Sequence, residues 1–188
     1  MNDPEPTNPF PTLETERLVL REIVAADAPA LFAIHSDVEA MRWFGTDPLR
    51  EAAEADVLIT RFAEWRRQPN PGTRWGLQRK SGGALIGSCG LFKWNRGWKS
   101  CTLGYELAAS AWGEGLMGEA LARVLPWGFE QMALHRIEAM IHPRNAPSIK
   151  LVRKLGFVQE GCAREAGYWL GAHHDLLHFG LLRTEFPG

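Results

Sequence analysis

The sequence predicts a mixed α/β (α+β) fold: one seven-stranded sheet with helices on both faces. Three observations predict it. Short alternating apolar runs come first in succession, then in the order strand–helix–strand–helix–strand–strand, which a two-layer or three-layer sheet domain requires. A glycine-rich run, Trp112-Gly113-Glu114-Gly115-Leu116-Met117-Gly118, lies between a strand-like segment and a long amphipathic helix. A second short helix is punctuated at both ends, by Asn145 and Ser148 as N-cap residue types and by Gly156 as a C-terminal stop.

The elements follow in order. Residues 1–12 carry Pro4, Pro6, Pro9 and Pro11 and are expected to form a flexible arm, with residues 13–188 as the single domain. Arg17 to Ile23 alternates as a strand. Asp27 can cap a helix containing Leu31, Phe32 and Ile34, and Val38 to Phe44 forms a further short stretch. Asp47-Pro48 is expected to start a helix with Ala55, Leu58, Ile59, Phe62 and Trp65 at helical spacing. Strands are expected at Arg74 to Arg79, Ala84 to Lys93 and Ser100 to Leu107, the first two joined by a turn at Ser81-Gly82-Gly83. The helix after the glycine run extends from about Leu116 to Met132, where Pro126 should kink or shorten it. Arg136 to His142 reads as a strand, Ala146 to Leu155 as a helix, and Phe157 to Glu165 and Asp175 to Leu182 as the last two strands.

Composition narrows the function. The 188 residues are 45% apolar and 23% charged, ordinary values for a globular chain. A net charge of −1 with no basic stripe argues against a nucleic-acid partner. No apolar run approaches the roughly 20 residues that span a bilayer, so no membrane partner is expected. Cys89, Cys101 and Cys162 are odd in number, widely spaced and without a Cys-x-x-Cys pair, a pattern of free thiols in a reducing, cytoplasmic setting. No metal site is expected either. His173 and His174 are adjacent on a strand and point to opposite faces, so they fit a structural or substrate-rim role better than chelation.

The glycine run has a physical use. Glycine permits φ > 0 and lets backbone amides turn toward one point, and at a helix N-terminus those amides meet the positive end of the helix dipole. The product is an anion cradle, although a tight strand-to-helix turn needs glycine for steric reasons alone. No Lys-Ser/Thr follows at P-loop spacing, and the run lies past mid-chain without the opening βαβ unit of a dinucleotide fold. About thirty residues on comes Asn145-Ala146-Pro147-Ser148, leading to Leu155-Gly156-Phe157. Together, in this order and separation, the two motifs resemble the GNAT acetyltransferase superfamily and, within it, the RimJ/RimL-like N-acetyltransferases. The resemblance runs from Glu14-Thr15-Glu16-Arg17-Leu18 to Asp175-Leu176.

The resemblance implies a GNAT-type, mostly antiparallel sheet and acetyl-CoA as co-substrate. It assigns coenzyme A to the strand Tyr105-Glu106-Leu107, the loop Trp112, Gly113, Glu114, Gly115, Leu116, Met117 and Gly118, and Asn145, Ser148 and Arg153. Two positions depart from the superfamily loop: Trp112 replaces Gln or Arg, as in the RimJ/RimL branch, and Met117 replaces Gly or Ala. Asn145 either holds the pantetheine arm or only caps its helix. Ser148 either protonates the leaving thiolate or only opens the helix. The tyrosine that many GNAT enzymes use for that step is replaced by Val152, which favours Ser148. Glu106 is either a general base acting through water or a strand carboxylate in an ion pair. A RimL-like base before Tyr168 is missing, since Gly167 stands there.

The expected activity is acetyl transfer to a primary amine in a ternary complex, most naturally a protein or peptide N-terminal α-amine. Such an amine has a pKa of about 7.7–8.0 and needs less help from a base than a lysine near 10.4. The rivals are acetylation of a small amine, such as a polyamine, amino acid or antibiotic, and an inactive acyl-CoA-binding protein. Trp43, Trp65, Trp75 and Trp127 are expected in the core, while Trp94, Trp98 and Trp169 fall near loops, where core or edge packing is the leading reading and lining an acceptor pocket the alternative. The oligomer is expected to be a monomer or homodimer.

Overall fold

A computed structural model describes residues 9–186. Its sheet has eight strands, in the order β1-β2-β3-β4-β5-β6-β8-β7. They are β1 (Leu13–Glu14), β2 (Leu18–Arg21), β3 (Thr73–Arg79), β4 (Leu85–Asn95), β5 (Ser100–Leu107), β6 (Arg136–Ile141), β7 (Val158–Trp169) and β8 (Ala172–Leu182). Every neighbouring pair is antiparallel except β5–β6. The eighth strand beyond the expected seven is β1, two residues long and too short to leave a periodic signal.

Five helices cover the sheet: α1 (Ala28–His35), α2 (Val38–Met41), α3 (Ala53–Trp65), α4 (Leu116–Gln131) and α5 (Ala146–Lys154). On one face Leu31 of α1 and Ala55, Ile59 and Phe62 of α3 pack over Ile23 and Leu85. On the other, Leu121, Val124, Leu125 and Phe129 of α4 and Val152 of α5 pack on Trp75, Leu91, Leu103, Ile137 and Phe179. Each such side chain taken from water contributes about 1.5–3 kcal/mol, which is why these apolar stripes fix which face each helix covers.

Several boundaries differ from the sequence expectation. α3 begins at Ala53, not at Asp47-Pro48, because the Glu54 carboxylate accepts the Arg50 and Glu51 amides and closes the turn before it. Pro126 does not shorten α4, whose buried residues on both sides of the proline hold it on the sheet to Gln131. β7 and β8 run on to a two-residue turn at Leu170 and Gly171, with φ of 49° and 72° as a type I′ turn requires. The first eight residues of the expected N-terminal arm lie outside the described residues. The next ones are tied down: the Phe10 ring meets Trp75 edge-on, and the Trp75 indole donates to the Pro11 carbonyl.

The parallel pair β5–β6 positions everything else. It is paired only over Ser100↔Arg136, Cys101↔Ile137 and Thr102↔Glu138. Beyond Thr102, β5 stays on β4 as far as Leu107, while β6 stays on β8 as far as Ile141. A wedge therefore opens between them, edged by strand backbone that has no partner strand on that side.

Candidate active site

The glycine run turns out of β5 and into α4. Gly113 and Gly115 both have φ of 78°, and Gly115 is the N-cap of α4. A Cβ on Gly113 would meet nothing within 4 Å, and one on Gly115 only Arg17 Nη2 at 3.9 Å. The left-handed backbone, not crowding, is what demands glycine here. The loop is braced from outside: Arg17 Nη1 donates to the Glu114 carbonyl, Arg79 forms a two-pronged pair with the Glu114 carboxylate, and Arg17 bonds Glu119. The Glu114 side chain is thereby occupied, and Leu116 and Met117 are buried, so this loop offers backbone to a ligand. The first-turn amides of α4 have no intrahelical acceptor and carry the positive end of the dipole, which suits a pyrophosphate. The Trp112 indole donates to the Leu107 carbonyl at 2.8 Å and so ties the loop to the end of β5.

Successive residues of β5 point to opposite faces, and the site divides along that line. Tyr105 faces α5, where its hydroxyl lies 2.6 Å from Ser148 Oγ. Burial pushes the Tyr105 phenol up to about 12, against the opposing effect of the Ser148 bond. Asn145 caps α5 by accepting the Ser148 amide, which leaves its Nδ2 donors without a protein partner among the described residues. Arg153 in the last turn of α5 donates to Gln159 at 3.0 Å and lies over Phe179, so its guanidinium is engaged on the β7–β8 side of the helix.

Glu106 faces α1 and is sealed. Its carboxylate is bound by the Arg74 guanidinium and the Ser88 hydroxyl, with His35 Nε2 at 3.4 Å. The Glu106 and Arg74 side chains are 3% and 5% exposed. Burial alone would raise this carboxyl, but the Arg74 charge and the His35 and Ser88 contacts overcome it and hold it below the ordinary range. A buried carboxylate with its lone pairs taken is a weak proton acceptor. Of the two roles open for Glu106, the geometry thus favours the ion pair over the general base.

Across the wedge, β6 supplies a group the sequence did not single out. With Thr102 level with Glu138, equal rise along parallel strands puts Glu106 level with His142. His142 is 7% exposed and stacks on Trp43 with centroids 4.1 Å apart. It also meets Trp169 and His174, which stack on each other at 3.9 Å. The Trp169 indole donates to the Arg42 carbonyl, which pins the β7–β8 hairpin to the end of α2. Burial, then the nearby His174 and Arg144 charges, keep the His142 pKa below its usual value, against the pull of Asp175. Its Nδ1 accepts the Arg144 amide, so the neutral ring carries its proton on Nε2. The signal in the sequence was parity: His142 stands four residues past Glu138, on the same strand face.

His173 turns to Tyr168 and His174 to Trp169, on opposite sides as expected. Among the described residues no group of three His, Cys, Asp or Glu could hold a metal. Trp169, 2% exposed, does reach the aromatic cluster. Trp94 and Trp98 do not line this pocket: Trp94 packs against the core, as the leading expectation had it, and Trp98 is exposed. They lie at the β4–β5 hairpin, and Ser100 and Glu106 alone stand about 20 Å apart at 3.3 Å per residue. Cys89 is buried with its thiol pushed up to about 12, and burial also raises Cys101, so neither is a nucleophile.

Residues 17–158 match the acetyltransferase (GNAT) domain family, and the chain belongs to that family. It is an acyltransferase, and acetyl-CoA, the co-substrate of the family, fits the cradle and the wedge described above. The chain is 33% identical over 176 residues to an uncharacterized N-acetyltransferase, YoaA, of Bacillus subtilis, covering 94% of this chain and 99% of the relative. It is 28% identical over 161 residues to the [ribosomal protein uS5]-alanine N-acetyltransferase of Escherichia coli, covering 81% of each, which places it beside the RimJ/RimL-like branch. Its fold matches RimJ of Mycobacterium smegmatis in complex with CoA-disulfide, with a TM-score of 0.84 at 23% identity over 94% of this chain and 89% of the other. It also matches the spermidine N-acetyltransferase of Vibrio cholerae in complex with CoA and spermine, with a TM-score of 0.79 at 21% identity over 91% and 98%. Among the described residues no helix is long and apolar enough to cross a membrane.

Proposed function

We propose that the chain transfers acetyl from acetyl-CoA directly to the α-amine of a protein or peptide N-terminus. The observation that carries this reading is the division of the wedge. One face offers a proton donor and the other an acceptor wall without an available base. On the first face, the Tyr105 hydroxyl and Ser148 Oγ share a hydrogen bond of 2.6 Å in which either oxygen can donate, and with Tyr105 as donor the Ser148 proton is free for the leaving thiolate. The loop amides and Asn145 hold the coenzyme, and backbone N–H groups along the unpaired stretch of β5 receive the carbonyl oxygen as it gains charge.

On the second face, Glu106 is bonded by Arg74 and Ser88 with His35 Nε2 3.4 Å away, and the His142 Nδ1 lone pair is taken. The amine must then arrive largely unprotonated. At pH 7.4 about a quarter of an α-amine with pKa near 7.8 is neutral, against about one in a thousand lysine amines. The relation to an enzyme that acetylates a ribosomal alanine supports the same acceptor class. A polyamine would instead bring its charges to Arg42 and Arg144, both packed over Trp43.

The test is coenzyme A release from acetyl-CoA with three acceptors: a peptide with a free α-amine, the same peptide N-blocked but carrying one lysine, and spermidine. The free α-amine should react fastest. Faster turnover of spermidine or of the lysine peptide would overturn the proposal.

A further inference from the structure

The acceptor face groups three cationic or N–H donors, His142, Arg42 and Arg144, of which only Arg42 has a carboxylate partner among the described residues. His142 stands with Nδ1 engaged by the Arg144 amide, so its Nε2–H points the other way across the ring. Arg42 and Arg144 lie over the Trp43 ring, at 4.7 and 5.5 Å from its centroid, beside the stacked His142. The only carboxylate paired with Arg42 among the described residues is Glu39, at 3.6 Å, one turn earlier and largely exposed. Such a pair is weak and exchangeable. Arg144 has no carboxylate partner among the described residues. Two other carboxylates nearby each accept one backbone amide: Asp175 from Glu165 and Asp47 from Leu170.

An open groove of about 430 Å³ is lined by Ser36, Val38, Asp47, Leu49, Arg50 and Leu170 among others. Leu170 directly follows Trp169, so the groove adjoins the cluster wall and gives an extended chain a way out to solvent. Donors grouped beside a groove, held by no more than one weak exposed ion pair, call for acceptor atoms on the ligand.

We infer that the amine acceptor is an acidic peptide N-terminus, whose first carbonyl bonds His142 Nε2–H and whose carboxylate, in the first two residues, is held by Arg42 and Arg144. This rests on the α-amine reading above and narrows it to one sequence class. The two arginines discriminate by charge, since a lysine at the same place would meet them as a like charge. His142 acts as a positioning residue: it orients the carbonyl next to the amine without taking its proton.

The test uses the full chain, acetyl-CoA and four peptides that share one sequence and differ at the second residue: Glu, Gln, Lys, and Glu with a blocked α-amine. The Glu peptide should exceed the Gln peptide in kcat/KM by about tenfold, and the Lys peptide should be slower still. In a variant carrying Arg42→Gln and Arg144→Gln the ratio of Glu to Gln peptide should fall to about one. Coenzyme A affinity by calorimetry should show that this variant is folded. His142→Phe keeps the stack on Trp43 and removes the donor, so it should raise KM for every free-amine peptide far more than it lowers kcat. An equal or higher rate for the Gln or Lys peptide, or a ratio that survives the double substitution, would overturn the acidic acceptor while leaving the α-amine reading intact. Turnover of the blocked peptide or of spermidine alone would overturn the α-amine reading itself, and this inference with it.

Discussion

Replacing Glu106 by Gln separates a structural carboxylate from a catalytic one. The substitution keeps size and one carbonyl acceptor but removes the charge that faces Arg74 and Ser88 in a site almost without solvent. Breaking a buried ion pair from one side costs about 3–5 kcal/mol, because the remaining charge is left uncompensated. For a chain of this length each kcal/mol moves the melting temperature by about 2–4 °C, so a drop on the order of 10 °C is expected. The pH dependence has a definite sign. The folded Glu106 carboxyl lies below its ordinary value, so its contribution is complete above the unfolded pKa of about 4.3 and is lost as pH falls through the lower folded value. The stability gap between wild type and Glu106→Gln should therefore be constant at neutral pH and close progressively below about pH 4.3. Thermal unfolding followed by circular dichroism at several pH values measures this directly. Kinetics at a temperature where the variant is folded should give a pH–rate profile of unchanged shape, set by ionisation of the amine. A variant as stable as wild type, inactive at low pH and recovering at high pH, would refute the argument and make Glu106 the base.

Two further outcomes test the coenzyme side. Gly115→Val forces a β-branched residue to φ near 78°, a strain of at least about 1–2 kcal/mol, and should weaken coenzyme A binding tenfold or more by calorimetry; unchanged affinity in a folded variant removes the cradle assignment. If the Tyr105 hydroxyl supports Ser148, Ser148→Ala should lower kcat by about 100-fold across the pH range, and Tyr105→Phe by a smaller factor, with little change in KM for acetyl-CoA. Wild-type kcat in both would exclude the pair from thiolate protonation.

The parts of the fold legible in the sequence are those whose cause is local. The glycine loop, the Asn145 cap, the α4 stripe and most strand cores depend on backbone conformation or on periodicity within a few residues, and the structure places them as expected. The misplaced boundaries have causes in side chains and turns. Glu54 reaches back to two amides and delays α3, and Leu170-Gly171 makes a type I′ turn without the Asn-Gly or Asp-Gly that usually marks one. The loop and cap assigned to the coenzyme were legible as local structure, because each motif is contiguous. It was not legible where partners come together only through the sheet: Tyr105 with Ser148, 43 residues apart, or Trp43 with His142 from opposite halves of the chain. Glu106 shows the limit from the other direction. A carboxylate beside a substrate strand carries the same letter whether it is free or sealed, and only Arg74, Ser88 and His35 from three other elements decide which.

That sealed carboxylate also connects architecture to selectivity. His35 ends α1, Arg74 lies on β3, Ser88 on β4 and Glu106 on β5, so one buried cluster ties the wall of the acceptor face to three strands of the sheet. Its cost is that the carboxylate nearest the wedge is unavailable for proton transfer, and the backbone amide at His142 Nδ1 withdraws the facing imidazole from the same task. With both groups committed to structure, the proposed mechanism makes the rate follow the fraction of acceptor amine that is already neutral. On the proposed reading selectivity has two independent sources: the pKa of the amine, which favours an α-amine over a lysine, and the arginine pair over Trp43, which would select among α-amines by the charge beside them. The first should weaken as pH rises toward 10 and lysine amines deprotonate, and the second should weaken as salt screens the partly exposed pair. Because the two respond to different variables, rates measured against pH and against ionic strength distinguish them on one set of peptides.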